Sequence, residues 1–272
     1  DWSVHPAAAD KGTGELTVSG PPLALGNHLY VLTEQSSLLV FLAIDRATLQ
    51  VEWSCPLGEL LPDANRAAPK TYTAAKLIWT GEAIVCSTVC GVVAAFDPIQ
   101  RQLQWMTRLP VELRSATRYD PAHTDPAAAA ALSGWREAAL QVVGDQLICV
   151  SPETQALHTL DRHTGHVAST ILRGDGLRLL GVADQHVVIL EPAALRAHDL
   201  KTGVLQWRTL LGEVRGQGVL LGNRCLQPLA DGALAILELK SGRRQPGRVA
   251  SDIVWGDLIP LPDGWLSSNE FQ

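Results

Sequence analysis

The stretch Ala197-His198-Asp199-Leu200-Lys201-Thr202-Gly203-Val204-Leu205-Gln206-Trp207 decides the fold of this chain. A largely apolar run ends at Asp199, a short turn follows, and a second run carries Trp207. Glycine supplies the positive φ that such a turn needs, and Asp and Thr side chains can bond the main chain of the turn. The stretch therefore predicts two antiparallel strands joined by a tight turn.

The same pattern recurs along the whole chain. Its five copies are anchored at Asp45, Asp97, Asp161, Asp199 and Glu238. The last two intervals, of 38 and 39 residues, give the bare period. The two earlier intervals, of 52 and 64 residues, are longer. They predict inserts at about residues 56–70 and 110–140.

A second turn precedes each anchor by 16 to 19 residues, and an apolar run follows it. These turns are Gly26-Asn27, Gly81-Glu82, Gly144-Asp145, Ala183-Asp184 and Gly222-Asn223. Four antiparallel strands in about 40 residues are typical of a propeller blade. We therefore predict an all-β fold, a β-propeller with five complete blades and a partial sixth at 255–272. We expect residues 1–272 to form a single domain of a longer natural protein.

Composition excludes several classes of protein. The chain has 272 residues, 18% of them charged, and a net charge of −6, which argues against a nucleic-acid partner. Its longest apolar run, Leu38 to Ile44, is too short to span a membrane. Five irregularly spaced cysteines predict neither a disulfide framework nor a zinc site. Cys86 and Cys90 are either a small disulfide, a reactive pair or buried apolar side chains.

The pattern Ala-x-Asp-x-x-Thr-Gly-x-x-x-Trp resembles the PQQ-like repeat of the quinoprotein-alcohol-dehydrogenase-like β-propellers. Ala197–Trp207 matches it at every defined position, and Ala43–Trp53 and Ala95–Trp105 match outside the turn. Within the family, the chain resembles the non-enzymatic, BamB-like members. It is also similar to large planctomycete propeller proteins.

The resemblance implies that one tryptophan per blade docks on the glycine-containing turn of a neighbour. The tryptophans would be Trp53, Trp105 and Trp207, and the turn glycines Gly165, Gly203 and Gly242. The recurring Asp45, Asp97, Asp161 and Asp199 are expected to be turn-forming scaffold residues. Leu49 and Arg101 replace glycine in two turns, which we expect to be more strained or of another type.

Catalytic residues of the family do not carry over. Its PQQ-dependent enzymes need a calcium or lanthanide site of Glu, Asn and Asp, a catalytic Asp and, in many members, adjacent cysteines. No two cysteines are adjacent here, and two of the four asparagines, Asn27 and Asn223, belong to hairpin turns. We therefore expect no catalytic, cofactor-binding or metal residues, and neither PQQ nor calcium as a cofactor.

The sequence favours a non-catalytic scaffold that binds protein partners, part of a larger envelope-associated or exported protein. Resemblance alone favours the cell envelope or periplasm. Binding often resides in loops on a rigid scaffold, so the 110–140 insert is a candidate surface. Its candidate anchors are Arg114, Arg118, Tyr119, Trp135 and Arg136.

Two alternatives stay open. The chain is a fragment of a PQQ-dependent dehydrogenase whose cofactor ligands lie outside it, or it is a propeller that binds carbohydrate or another small molecule. The second alternative would gain support if Trp2, Trp79, Trp135, Trp255 and Trp265 clustered on one exposed face.

Overall fold

The computed structural model describes residues 17–35, 38–59, 75–88, 91–110, 135, 139–150, 154–245, 249–250, 256–261 and 264–268. All regular structure in these ranges is β-strand, and it forms six antiparallel sheets. None of the described segments is a helix able to cross a bilayer.

The first sheet has the order β1-β3-β4-β5, and β2 also pairs with β3. Its strands are β1 (Thr17–Val18), β2 (Leu23–Leu25), β3 (His28–Gln35), β4 (Leu38–Asp45) and β5 (Val51–Glu59). Residues 56–59, predicted to begin an insert, instead continue β5. They do so because Leu57 is buried in the core and Gly58 and Glu59 keep pairing with β4.

The next two sheets repeat this plan with four strands each, ordered as in the sequence. The second contains β6 (Lys76–Trp79), β7 (Ile84–Ser87), β8 (Val92–Asp97) and β9 (Gln102–Arg108). The third contains β10 (Ala139–Val143), β11 (Gln146–Val150), β12 (Ala156–Asp161) and β13 (Val167–Leu172).

The fourth and fifth sheets follow the same order, and a sixth has two strands. The fourth contains β14 (Arg178–Ala183), β15 (His186–Leu190), β16 (Ala194–Asp199) and β17 (Leu205–Leu210). The fifth contains β18 (Val219–Leu221), β19 (Arg224–Pro228), β20 (Ala233–Glu238) and β21 (Val249–Ala250). The sixth contains β22 (Asp257–Leu261) and β23 (Gly264–Ser268).

Each predicted anchor ends the third strand of its sheet. Asp45, Asp97, Asp161, Asp199 and Glu238 close β4, β8, β12, β16 and β20. The predicted all-β fold of repeated antiparallel sheets is therefore confirmed, although the first sheet has five strands, the next four have four each and the last has two. One hairpin differs by a residue: Ala183 pairs with His186, so the turn is Asp184-Gln185 and not Ala183-Asp184.

The chain divides into two compact units, residues 1–167 and 168–272, with the boundary inside β13. In the first unit, Phe41 and Phe96 of neighbouring sheets stack in parallel with ring centroids 4.0 Å apart. In the second, one apolar cluster joins Leu195 and Ala197 of the fourth sheet to Ala235 and Leu237 of the fifth. Face-to-face packing of apolar side chains thus stabilises neighbouring sheets within each unit.

Candidate functional site

The anchor carboxylates hold the turns that join third and fourth strands. Asp199 Oδ1 accepts bonds from the main-chain N–H groups of Lys201 (3.1 Å) and Thr202 (2.7 Å) and from the Thr202 hydroxyl (2.8 Å). Asp45 and Asp161 make the same three bonds in their own turns. This arrangement gives each carboxylate a structural task inside its own turn.

Hydrogen bonding shifts the titration of these carboxyls. The main-chain N–H of the turn threonine and then its hydroxyl lower the pKa of Asp45 and of Asp199. For Asp161, the Thr164 hydroxyl is the larger cause of the lowered pKa. Two anchors depart from the pattern: Asp97 accepts from the N–H groups of Ile99 and Gln100, and Glu238 accepts from the Ser241 hydroxyl.

The turns without glycine adopt the same backbone conformation as those with it. Leu49 and Arg101 both have φ of 57°, close to the 70° of Gly203. Of the two possibilities predicted for these turns, the strained one is found, because side chains with a Cβ avoid this region.

Trp105 lies against the turn of the next sheet. Its indole N–H donates to the Arg162 carbonyl (3.0 Å), and its ring lies so close to Gly165 that a Cβ there would be 2.4 Å from Cε3. The Thr107 hydroxyl donates to the Gly165 carbonyl (2.7 Å). Ring and hydroxyl together hold the outer strand of one sheet on the turn of its neighbour.

Trp207 repeats this arrangement in the second unit. Its indole N–H donates to the Leu239 carbonyl (2.7 Å), and a Cβ on Gly242 would lie 2.5 Å from the ring. The Thr209 hydroxyl donates to the Gly242 carbonyl (2.7 Å). Because both contacts combine a buried ring with two hydrogen bonds, we propose that they lock neighbouring blades together.

The remaining predicted docking residues have other contacts. Trp53 is half-buried and meets Phe41 and Phe96 edge-on, with centroids at 5.5 and 5.9 Å. Gly203 lies beneath Ile171, whose Cγ1 would be 3.4 Å from an added Cβ, an ordinary packing distance. Trp53 thus touches an aromatic ring of the next sheet, and Gly203 an aliphatic side chain.

The predicted interaction surface of the second insert is not supported at Trp135. This side chain is only 1% exposed, so it lies in the interior and cannot anchor a partner. Arg114, Arg118, Tyr119 and Arg136 lie outside the described residues.

Two exposed leucines form a different candidate surface, which sequence reasoning missed. Leu172 is 72% exposed and Leu210 is 70% exposed. Each ends the outer strand of its sheet, eleven residues after its anchor aspartate. The signal in the sequence was weak, because an apolar residue at a strand end is ordinarily buried.

A largely buried network of charged side chains connects the strands that carry these two leucines. Glu191, whose side chain is 5% exposed, accepts from Arg208 Nε (2.8 Å) and lies 3.3 Å from Arg196 Nε. Arg196 also donates to the carbonyls of Leu172 (2.9 Å) and Arg173. Burial lowers the pKa of Arg196, whereas bonding to Glu191 raises the pKa of Arg208.

The network fixes the loop that follows β13. Arg173 is itself buried and donates to the Gly176 carbonyl (3.1 Å). Leu172, the last residue of β13, is therefore held at the start of this loop by bonds from the buried Arg196 guanidinium to its own carbonyl and to that of Arg173. Preordered apolar side chains reduce the entropy lost when a partner binds.

A cavity of about 280 Å³ begins next to Leu210. It is lined by Leu211, Gly212, Glu213, Leu229, Ala230 and Asp231. Its walls thus combine two leucines with two carboxylates. We call Leu172, Arg208, Leu210 and this cavity the loop-edge surface.

Metal and cofactor chemistry has no visible support in the described ranges. There, no three His, Cys, Asp or Glu side chains are grouped so that they could hold a metal ion. Cys86 is buried on β7, as an apolar side chain would be, and Cys90 lies outside the described residues, so the three alternatives for the two cysteines stay open. Trp79 is 38% exposed and Trp135 is buried, so these two share no exposed face. The side chains of Trp2, Trp255 and Trp265 lie outside the description.

Solved structures show the same fold. BamB from Moraxella catarrhalis is 19% identical, with a TM-score of 0.59 over 92% of this chain and 67% of that one. The computationally designed Ika8 protein is 11% identical, with a TM-score of 0.51 over 94% of this chain and 81% of that one. No curated protein sequence matches the chain.

The blades and their anchor turns define a β-propeller of PQQ-like repeats, as predicted. Residues 90–251 match the family model described as outer membrane protein assembly factor BamB. The chain therefore belongs to the BamB family of propellers.

Proposed function

We propose that this chain is a non-catalytic scaffold that binds a protein partner during outer membrane protein assembly. The main support for the proposal is that Leu172 and Leu210 are exposed next to the ion pairs of the buried Glu191. Large exposed apolar side chains held in fixed positions are typical of interaction sites. The name of the matched family supports the assembly role and a place in the cell envelope.

The loop-edge surface suggests how the partner is recognised. The two leucines supply apolar anchors, and Arg208, 47% exposed at its side chain, supplies a cation held by Glu191. Glu213 and Asp231 supply carboxylates at the cavity. A partner that fits would bring apolar side chains flanked by charges of both signs.

Site-specific cross-linking tests the proposal. A photoreactive residue is placed at Leu172, at Leu210 or at Ile99, which is 89% exposed in a turn of the first unit and serves as the control. With solubilised outer membranes of the source organism, we expect one cross-linked protein at 172 and 210 and none at 99. Equal cross-linking at all three positions, or none at 172 and 210, would refute the proposed surface.

The enzymatic alternative has its own test. The full chain is titrated with PQQ and calcium, followed by calorimetry and by dye-linked alcohol oxidation. We expect neither heat of binding nor turnover. Binding at micromolar concentration with turnover would replace the scaffold proposal by a dehydrogenase.

A further inference from the structure

The edge of the second unit opposite the loop-edge surface, where the turns between first and second and between third and fourth strands lie, carries a group of positively charged side chains. Five exposed cations lie there: Lys201, Arg224, Lys240, Arg243 and Arg244. None of them makes an ion pair with another residue of the described ranges, whereas Arg196 and Arg208 at the loop edge both do. Among the described residues, three carboxylates share the turns, those of Asp184, Asp199 and Glu238, and the sequence adds Asp263 to the hairpin between β22 and β23. This edge is therefore net positive in a chain whose net charge is −6.

Hydrogen bonds bring the cations of the fifth sheet together. The Leu239 N–H donates to the Asn223 carbonyl (2.8 Å), which joins the hairpin before Arg224 to the turn that carries Lys240. The Glu238 N–H donates to the Arg243 carbonyl (3.0 Å). Two adjacent turns of one sheet thus present four cations on one edge.

Exposed aliphatic side chains border this charge. Val204 is 58% exposed and Leu205 is 49% exposed, both just after the turn of the fourth sheet. A β-bulge sets Leu205 opposite His198 and Trp207 opposite Ala197, so the two side chains point to opposite faces of β17. The bond from Trp207 to the Leu239 carbonyl places β17 beside the turn that carries Lys240.

We propose that this turn edge, formed by Lys201, Val204, Leu205, Arg224, Lys240, Arg243 and Arg244, docks on an anionic phospholipid surface. The cations would contact headgroup phosphates, and the aliphatic side chains would enter the interface. Exposed cations beside exposed aliphatic side chains match the anionic headgroups and apolar interface of a phospholipid surface. The cavity lined by Leu211 and Leu229 belongs to the loop-edge surface, at the other edge of the sheets, and is not part of this proposed membrane contact.

Vesicle co-sedimentation of the full chain tests the proposal. Vesicles are made of phosphatidylcholine alone or with about a third phosphatidylglycerol. We expect binding only to the anionic vesicles, weakened by salt. Lys240→Gln and Arg243→Gln should each lower the partition coefficient about fivefold, the equivalent of one cation at an anionic surface. Leu205→Ser should also weaken binding.

Arg108→Gln is the matched control, since Arg108 is also exposed, at the end of β9, but lies outside this edge. We expect it to bind as the unmodified chain does. Absence of binding, equal binding to neutral vesicles, or equal loss in Arg108→Gln and Arg243→Gln would overturn the proposal. Binding of polyglutamate but not of vesicles would also overturn it, in favour of an acidic protein. Cross-linking at Leu172 does not depend on any of these results.

Discussion

The indole of Trp207 lies so close to Gly242 that a Cβ there would be 2.5 Å from the ring, and Trp105 lies equally close to Gly165. Above Gly203, the nearest side-chain atom would be Ile171 Cγ1 at 3.4 Å. The three glycines have nearly equal φ, between 66° and 71°. They differ mainly in the side chain that lies over them.

This difference predicts that the same substitution lowers the free energy of unfolding by different amounts at the three glycines. Gly203→Ala should cost about 1 kcal/mol, from the left-handed backbone alone. Gly165→Ala and Gly242→Ala should cost about 2–5 kcal/mol, because the new methyl group also displaces an indole. Chemical denaturation followed by tryptophan fluorescence measures the three values. Equal costs at all three positions would show that the tryptophan contacts do not hold the blades together.

Replacing Leu49 by glycine should stabilise the chain. Leu49 has φ of 57° and is 53% exposed, so its removal relieves backbone strain and loses little packing. The expected gain is up to about 1 kcal/mol, after the higher entropy of glycine in the unfolded chain is subtracted. Thermal unfolding tests this, with Val51→Gly, in a strand of the same sheet, as a destabilising control. A lower midpoint for Leu49→Gly would show that the turn is not strained.

Glu191→Gln should destabilise the second unit strongly. The substitution leaves Arg196, whose side chain is 12% exposed, without a compensating charge, which typically costs about 3–5 kcal/mol. Glu52→Gln is the matched control, since Glu52 also contacts two bases, Arg101 and His28, but is exposed. It should cost less than about 1 kcal/mol. Similar losses for both variants in urea unfolding would contradict this account of the network.

The turn carboxylates predict how stability depends on pH. The folded pKa of Asp199 is lowered by the N–H and hydroxyl of Thr202. Its contribution is therefore complete above the unfolded pKa of about 4 and disappears as the pH falls through the lowered value. Thr202→Ala should raise the pKa of Asp199 towards its ordinary value. The stability difference between the two proteins should be largest above pH ~4 and shrink in acid.

Carboxyl NMR titration measures this pKa directly. Thr209→Ala is a suitable control, because Thr209 bonds the Gly242 carbonyl and not a carboxylate. An unchanged pKa of Asp199 in Thr202→Ala would contradict the role given to the turn.

Much of the fold could be predicted from the sequence because each blade repeats a local pattern. The turn at Asp199 depends only on residues close in sequence. Its five copies therefore predicted five sheets. The loop-edge surface could not be predicted in this way. Glu191 and Arg208 are 17 residues apart, and no spacing rule links a loop carboxylate to a guanidinium on another strand.

Burial also decided where sequence reasoning failed. Trp135 looked like an interface anchor because tryptophan is common at hot spots, but it is enclosed in the fold. Nothing in the sequence singled out Leu172, because leucine is commonly buried, but its side chain is exposed. Residue type alone does not distinguish these two environments.

The affinity of the chain for the protein cross-linked at position 172 tests the central claim most directly. We expect Leu172→Asp and Leu210→Asp each to weaken binding about thirtyfold or more, as loss of an interface hot spot does. Ile99→Asp, an equally drastic change of an exposed residue, should leave the affinity within about threefold of the unmodified value. If Leu172→Asp and Leu210→Asp bind as tightly as Ile99→Asp, the loop edge is not the partner surface.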